Sequence, residues 1–237
     1  PHINGEPSTT DLPMLSWVIN LGWAAFGVSE IWPRAISPLF GFASIFMTAA
    51  IARLLWPGWA GIGALSGTIL MGSIVWSILI TLPSATPIAV FCLLVTFWGL
   101  IYARESGRWG GSILAGIFAG LGMLTIGPKL LIYILPVMVL EFFRKSPNVS
   151  REAFEHNHKS WQIMTVFGLG ILIVIIWLVF VFIEQNNDYT LRLVGHLFMP
   201  DLFNSQIEQN KINWIYTVLL AGFLPLPWLL WGPAWRA

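Results

Sequence analysis

Long apolar runs constrain this chain more than any other feature of its sequence. A helix needs about 20 apolar residues to cross the roughly 30 Å hydrocarbon core of a bilayer. Charged residues make up only 10% of the chain, against about a quarter in a soluble domain. We therefore predict an integral membrane protein, which excludes an ordinary cytosolic enzyme, a disordered chain and a disulfide-rich secreted scaffold. Seven runs qualify as candidate spans: 35–52, 59–80, 86–103, 111–126, 127–143, 161–183 and 212–231.

The fourth and fifth runs are separated by Gly127 and Pro128 rather than by charge. Proline cannot continue the helical hydrogen-bond ladder, and glycine weakens the interior of a helix. One uninterrupted helix over 111–143 would be about 50 Å long, which exceeds the thickness of the bilayer core. We therefore predict two spans here rather than one.

The basic residues predict the orientation, because cytoplasmic loops carry an excess of Lys and Arg. With the split at Gly127-Pro128, one side of the membrane carries Arg53, Arg104, Arg108, Arg144, Lys145, Arg151, Lys159 and Arg236. The other side carries only Arg34, Lys129, Arg192 and Lys211. The richer side is predicted to be cytoplasmic, so residues 1–34 are expected outside, with the protein in a bacterial inner (plasma) membrane.

Residues 12–28 are apolar but short for a span. Trp17 and Trp23 suit the membrane interface, where Trp is enriched. The favoured prediction is a helix that lies at the outer surface or re-enters it, and the alternative is an eighth span. The expected organisation is an outer-face segment (1–34), a five-span core (35–143), a cytoplasmic loop (144–160) and two further spans (161–237) joined by an outer loop (184–211).

The sequence lacks the common motifs of nucleotide-binding proteins, hydrolases and metal sites. It has no P-loop, GxSxG, HExxH or CxxC pattern. His156 and His158 fall in a charged loop, and no predicted span contains a His that could ligate haem. With a net charge of +1 there is no basic footprint for nucleic acid. We expect no metal, no cofactor and no nucleic-acid partner.

Charged residues at the outer ends of the spans are the candidates for function. Asp11, Glu30 and Arg34 crowd the N-terminal segment, and Lys129 directly follows the Gly127-Pro128 break. Ionisable residues that face a cavity at membrane depth are functional candidates. The alternative for Arg34 and Lys129 is snorkelling towards lipid headgroups.

Three segments, in order, resemble membrane glycosyltransferases of the GT-C class, in particular the protein-mannosyltransferase and aminoarabinose-transferase-like superfamily. Residues 4–34 match that family's pattern through Asn4-Gly5-Glu6-Pro7, Pro13, Trp17, Phe26-Gly27, Ser29-Glu30 and Arg34, with Ser37 following. The segment TLPSATPIAVF (81–91) resembles the family's TPDAPLAFF, and GLGMLTIGP (120–128) resembles its GLAFLTKGP. The resemblance covers about residues 3–145. It implies an all-α, GT-C-like membrane fold with about seven transmembrane helices plus an outer interfacial helix.

The resemblance also implies a reaction, namely sugar transfer from a polyprenyl-phosphate donor at the outer membrane face. Such transfer needs a carboxylate near the acceptor and cations on the phosphate. Glu30, Arg34 and Lys129 are the implied substrate-binding residues, with Asp11 as a substitute catalytic acid. The family's own acid precedes the NGEP motif, and would lie before Pro1. Ile126 replaces the Lys of LTKGP, and Ser84 or Ala85 stands where the family's turn has Asp.

Three hypotheses remain open at this point. The first is an active glycosyltransferase that binds membrane lipids and a polyprenyl-phosphate sugar. The second is a degenerate, non-catalytic GT-C-like subunit (a pseudoenzyme) that acts as a scaffold with other membrane subunits. The third is a transporter with binding at a helix break, such as the one at Gly127-Pro128. The near-absence of charge in the middle of the spans disfavours the transporter.

Overall fold

The computed structural model describes residues 2–3, 6–7, 12–143 and 152–184. Within them, two-residue strands β1 (His2–Ile3) and β2 (Glu6–Pro7) pair antiparallel, and all other regular structure is helical. The helices are α1 (Pro13–Phe26), α2 (Ile31–Leu55), α3 (Ile62–Met71), α4 (Ile74–Thr81), α5 (Thr86–Ser106), α6 (Trp109–Ile126), α7 (Leu130–Phe143) and α8 (Glu152–Glu184), with a 3₁₀ turn at Gly127–Lys129.

The predicted all-α membrane architecture is confirmed. Four helical segments of the described chain are long and apolar enough to cross a bilayer, and a fifth is added if the bent pair α3–α4 counts as one span. The seventh predicted run, 212–231, lies outside the described residues.

Helices α5 and α6 form the antiparallel centre of the bundle. Gly99 on α5 faces Gly111 on α6 so closely that a Cβ at Gly99 would lie 2.7 Å from the Gly111 carbonyl oxygen. Near the other end of the pair, Cys92 on α5 faces Gly122 on α6. Small residues at a helix interface let the two backbones approach closely, which is how helices associate in a lipid environment.

Helices α6 and α8 pack side by side and run in the same direction, because Gly116 faces Leu169 and Gly120 faces Ile173. The chain between two parallel helices must cross back, and α7 supplies this return. By length and composition alone, Trp109–Val139 forms a single apolar run. Its packing divides it, since Leu130 at the start of α7 folds back against Gly122. The helix break predicted at Gly127-Pro128 is present.

The second predicted span, 59–80, is not one straight helix. It consists of α3 and α4, which meet at Gly72-Ser73 at an angle of 66°. Ser73 takes an extended conformation and its Oγ accepts a hydrogen bond from the Trp76 amide at 3.4 Å, so it caps α4. Serine favours such caps over helix interiors, which explains why an apolar run without proline or charge bends here.

Helix α1 lies across one end of the bundle, which we call the α1 end. This is the end where α2 and α5 begin and where α6 and α8 finish. Met14 contacts both the cluster of Ile36, Ile88 and Cys92 and the cluster of Leu124 and Trp177. This position favours the predicted interfacial helix over an eighth span.

Helix α8 begins at Glu152, inside the segment 144–160 that was predicted to be a cytoplasmic loop. Glu, Ala and Lys in this segment are good helix formers. The helix therefore begins before the predicted apolar span 161–183 and continues through it.

Candidate functional site at the α1 end

Glu30 and Arg34 lie where α2 begins. Glu30 is the N-cap residue, and one turn later Arg34 places its Nη2 atom 3.7 Å from Glu30 Oε2. The side chains of Arg34 and Glu30 are 78% and 90% exposed. Exposed pairs of this kind contribute little to stability, so this one does little to hold the fold.

Lys129 ends the 3₁₀ turn that joins α6 to α7, and its side chain is exposed. Gly127 permits this turn because its φ of 79° lies in a region that residues with a side chain rarely adopt. Leu130, the next residue, is buried against Gly122. The backbone of Lys129 is therefore fixed between a glycine turn and a buried leucine.

A chain of packed side chains places Arg34 and Lys129 at the same end of the bundle. Ile36, two residues after Arg34, packs in one cluster with Cys92. Cys92 in turn faces Gly122, which Leu130 also contacts. Both cations therefore stand at the α1 end, on separate elements.

Two tryptophan indoles tie α1 to the start of α2. Trp32 Nε1 donates a hydrogen bond to the Val18 carbonyl at 3.1 Å, and Trp23 Nε1 donates to the Ser29 carbonyl at 2.9 Å. Gly22 lies directly against the Trp32 indole, where a Cβ would overlap the ring. These contacts hold α1 beside the start of α2, the segment that contains Glu30 and Arg34.

Sequence reasoning missed the role of Ser37 and Ser84. Ser37 Oγ donates to the Ser84 carbonyl, and the Ser84 amide donates back to Ser37 Oγ, both at 3.1 Å. This pair fixes the turn between α4 and α5 to α2, next to Arg34. The available signal was that Ser37 follows Arg34 in the family pattern and that Ser84 falls in the matched turn, but neither position alone indicated contact.

The predicted site residues divide into two groups. Glu30, Arg34 and Lys129 stand at the α1 end, whereas Asp11 lies outside the described residues. Within the described ranges, no group of three or more His, Cys, Asp or Glu side chains could hold a metal ion. At the opposite end of the bundle lie Arg53, Arg104 and Arg108, as the topology requires.

Comparison with known families identifies a family that matches most of the chain. Residues 6–180 match the model of the family described as dolichyl-phosphate-mannose-protein mannosyltransferase. The matched segment includes the described helices from α1 to most of α8. No curated protein and no solved structure gave a significant match to this chain.

Proposed function

The chain belongs to the dolichyl-phosphate-mannose-protein mannosyltransferase family, and we propose that it transfers a sugar from a polyprenyl-phosphate donor at the outer face of a bacterial inner membrane. The observation that carries the proposal is the placement of Arg34 and Lys129 at the end of the bundle that α1 crosses. A lipid phosphate at that depth keeps its polyprenyl chain in the bilayer while its sugar projects into water.

In the proposed reaction, an acceptor hydroxyl oxygen attacks the anomeric carbon of the sugar. The bond from that carbon to the phosphate oxygen breaks, and the polyprenyl phosphate leaves with the electron pair. Arg34 and Lys129 stabilise the negative charge that the leaving phosphate gains, which is electrostatic catalysis by positioned cations. Glu30 orients the guanidinium of Arg34 through the 3.7 Å ion pair.

The proton of the acceptor needs a carboxylate. We assign Asp11 to this role as the substitute for the family's acid. In support, Asp11 directly precedes Leu12, which packs against Leu124 and Trp177 at the α1 end. The alternative is that the fold serves as a non-catalytic subunit, and the departures at Ser84 and Ile126 motivate it.

A transfer assay with a radiolabelled polyprenyl-phosphate sugar in proteoliposomes tests the proposal. Arg34→Ala and Lys129→Ala should each lower the transfer rate roughly 100-fold. Arg34→Lys should retain part of the rate, because it keeps the charge but loses the planar fork. Arg108→Ala, an exposed cation at the opposite end, is the matched control and should leave the rate unchanged.

Two results would contradict the proposal in different ways. Full transfer by both Arg34→Ala and Lys129→Ala would remove these cations from the reaction. The absence of transfer by folded wild-type protein with both dolichyl- and undecaprenyl-phosphate sugars would favour the non-catalytic subunit.

A further inference from the structure

The bent pair α3–α4 leaves one face open along its whole length. Its exposed residues follow helical spacing on both sides of the bend: Ala64, Leu65, Thr68, Ile69, Met71, Gly72, Ile74, Ser77, Ile78 and Thr81. The opposite face of the pair is covered by α2, where Ile45 contacts Gly67 and Ile80 contacts Gly41. The open face therefore belongs to an edge element of the bundle.

The helical backbone is interrupted in the middle of this open face, between the exposed side chains of Met71 and Ile74. The bend at Gly72-Ser73 divides the pair into ten and eight helical residues, so it lies near the centre of the span. The first amides of α4, at Ile74 and Val75, have no partner one turn earlier in their own helix. Ser77 Oγ donates across the bend to the Met71 carbonyl at 3.3 Å, which leaves the acceptor side of its oxygen unused.

Lipid cannot satisfy such a face. Interrupted backbone at membrane depth is found where it is buried in protein or lines a water-filled cavity, and not against acyl chains. The open face of α8 differs, since Ile171, Leu172, Ile175, Ile176 and Val179 offer lipid only apolar side chains. Between these two edges of the bundle, only α3–α4 requires a protein neighbour.

We propose that the predicted span 212–231 of this same chain covers the open face of α3–α4. This segment lies outside the described residues and is long enough to cross the bilayer. Helix α8 ends at Glu184, at the α1 end, so the segment 185–211 starts there. Extended, it can reach about 90 Å, whereas the helices from α8 to α3–α4 take up about 40 Å at roughly 10 Å per helix.

The small residues of the span 212–231 fall where the proposal needs close contact with the bend of α3–α4. Since the span starts at the α1 end and α4 finishes there, the two run antiparallel. The midpoint of the span falls at Ala221-Gly222, level with the bend at Gly72, and small residues allow close approach at that point. Thr217 lies on the α1-end side of this midpoint, as Ser77 lies on the α1-end side of the bend, so an interhelical hydrogen bond between the two hydroxyls is part of the proposal.

Disulfide cross-linking tests the proposal in the full-length chain in native membranes. In a Cys92→Ala background, Ser77→Cys is combined in turn with a cysteine at each position from Tyr216 to Leu219, one complete helical turn. Oxidation should give an intramolecular cross-link in at least one pair, with most of the protein shifted in mobility and restored by reductant. Ile176→Cys is the matched control, because it lies at the same depth on the apolar face of α8 and is 60% exposed. It should give no cross-link.

Each other outcome contradicts the proposal. Cross-linked dimers through Ser77→Cys would mean that a second copy covers the face. An intramolecular cross-link through Ile176→Cys would place the span on α8. No cross-link at any of the four positions, with the protein folded by its elution profile, would mean that another partner or a water-filled cavity meets the open face.

Discussion

Ser37 and Ser84 are 47 residues apart in the chain and exchange two hydrogen bonds of 3.1 Å, through which α2 holds the turn that leads into α5. Ser37 is buried and Ser84 is half-buried, which limits the access of water to both bonds. This clamp joins three elements of the α1 end, and Arg34 lies one turn before it.

Ser37→Ala should lower the free energy of unfolding by about 1–3 kcal/mol, because it leaves the half-buried Ser84 amide without its partner. Denaturant unfolding in detergent micelles, followed by circular dichroism, measures this change. Ser44→Ala is the matched control on the same helix, since Ser44 is equally buried but bonds only the Phe40 carbonyl of its own turn. Equal losses for the two variants would contradict the clamp.

Gly120→Ala should separate α6 from α8. Its Cβ would lie 2.9 Å from Ile173 Cβ and 3.1 Å from the Gly170 carbonyl oxygen, neither of which is a flexible side-chain end. Overpacking of this kind costs about 1–3 kcal/mol. Gly110→Ala on the same helix has nothing within 4 Å of the new Cβ and should cause no loss. A thermal melt in micelles distinguishes the two, and equal melting temperatures would contradict the packing.

Apolar runs and breakers in the sequence were sufficient to predict the helical membrane fold and the break at Gly127, because both are local properties. The order in which the predicted spans cross the membrane also predicted that Arg34 and Lys129 lie on the same side of it. The bend at Gly72-Ser73 was missed, since it lies within an apolar run that carries neither charge nor proline. The Ser37–Ser84 clamp was missed for another reason, namely that no local pattern encodes a contact between two small polar residues 47 positions apart.

Gly127→Ala should strain the turn that presents Lys129. Gly127 combines φ 79° with ψ −166°, a conformation that is nearly exclusive to glycine. The strain should cost about 1–3 kcal/mol of stability. Gly168→Ala on α8 is the control, because Gly168 is helical with nothing within 4 Å of an added Cβ. It should be neutral or stabilising by up to about 1 kcal/mol. Equal stability of the Gly127→Ala variant and wild type, measured by unfolding in micelles, would contradict the observed turn.

The orientation predicted from the basic residues has its own test at the two ends of α6. Lys129→Cys and Arg108→Cys are made separately in a Cys92→Ala background, and intact cells are treated with a membrane-impermeant maleimide. The excess of basic residues on the Arg108 side predicts that this side is cytoplasmic. Lys129→Cys should therefore label on intact cells, and Arg108→Cys only after permeabilisation. The reverse pattern would place the α1 end in the cytoplasm, and with it Arg34, Lys129 and the proposed sugar transfer.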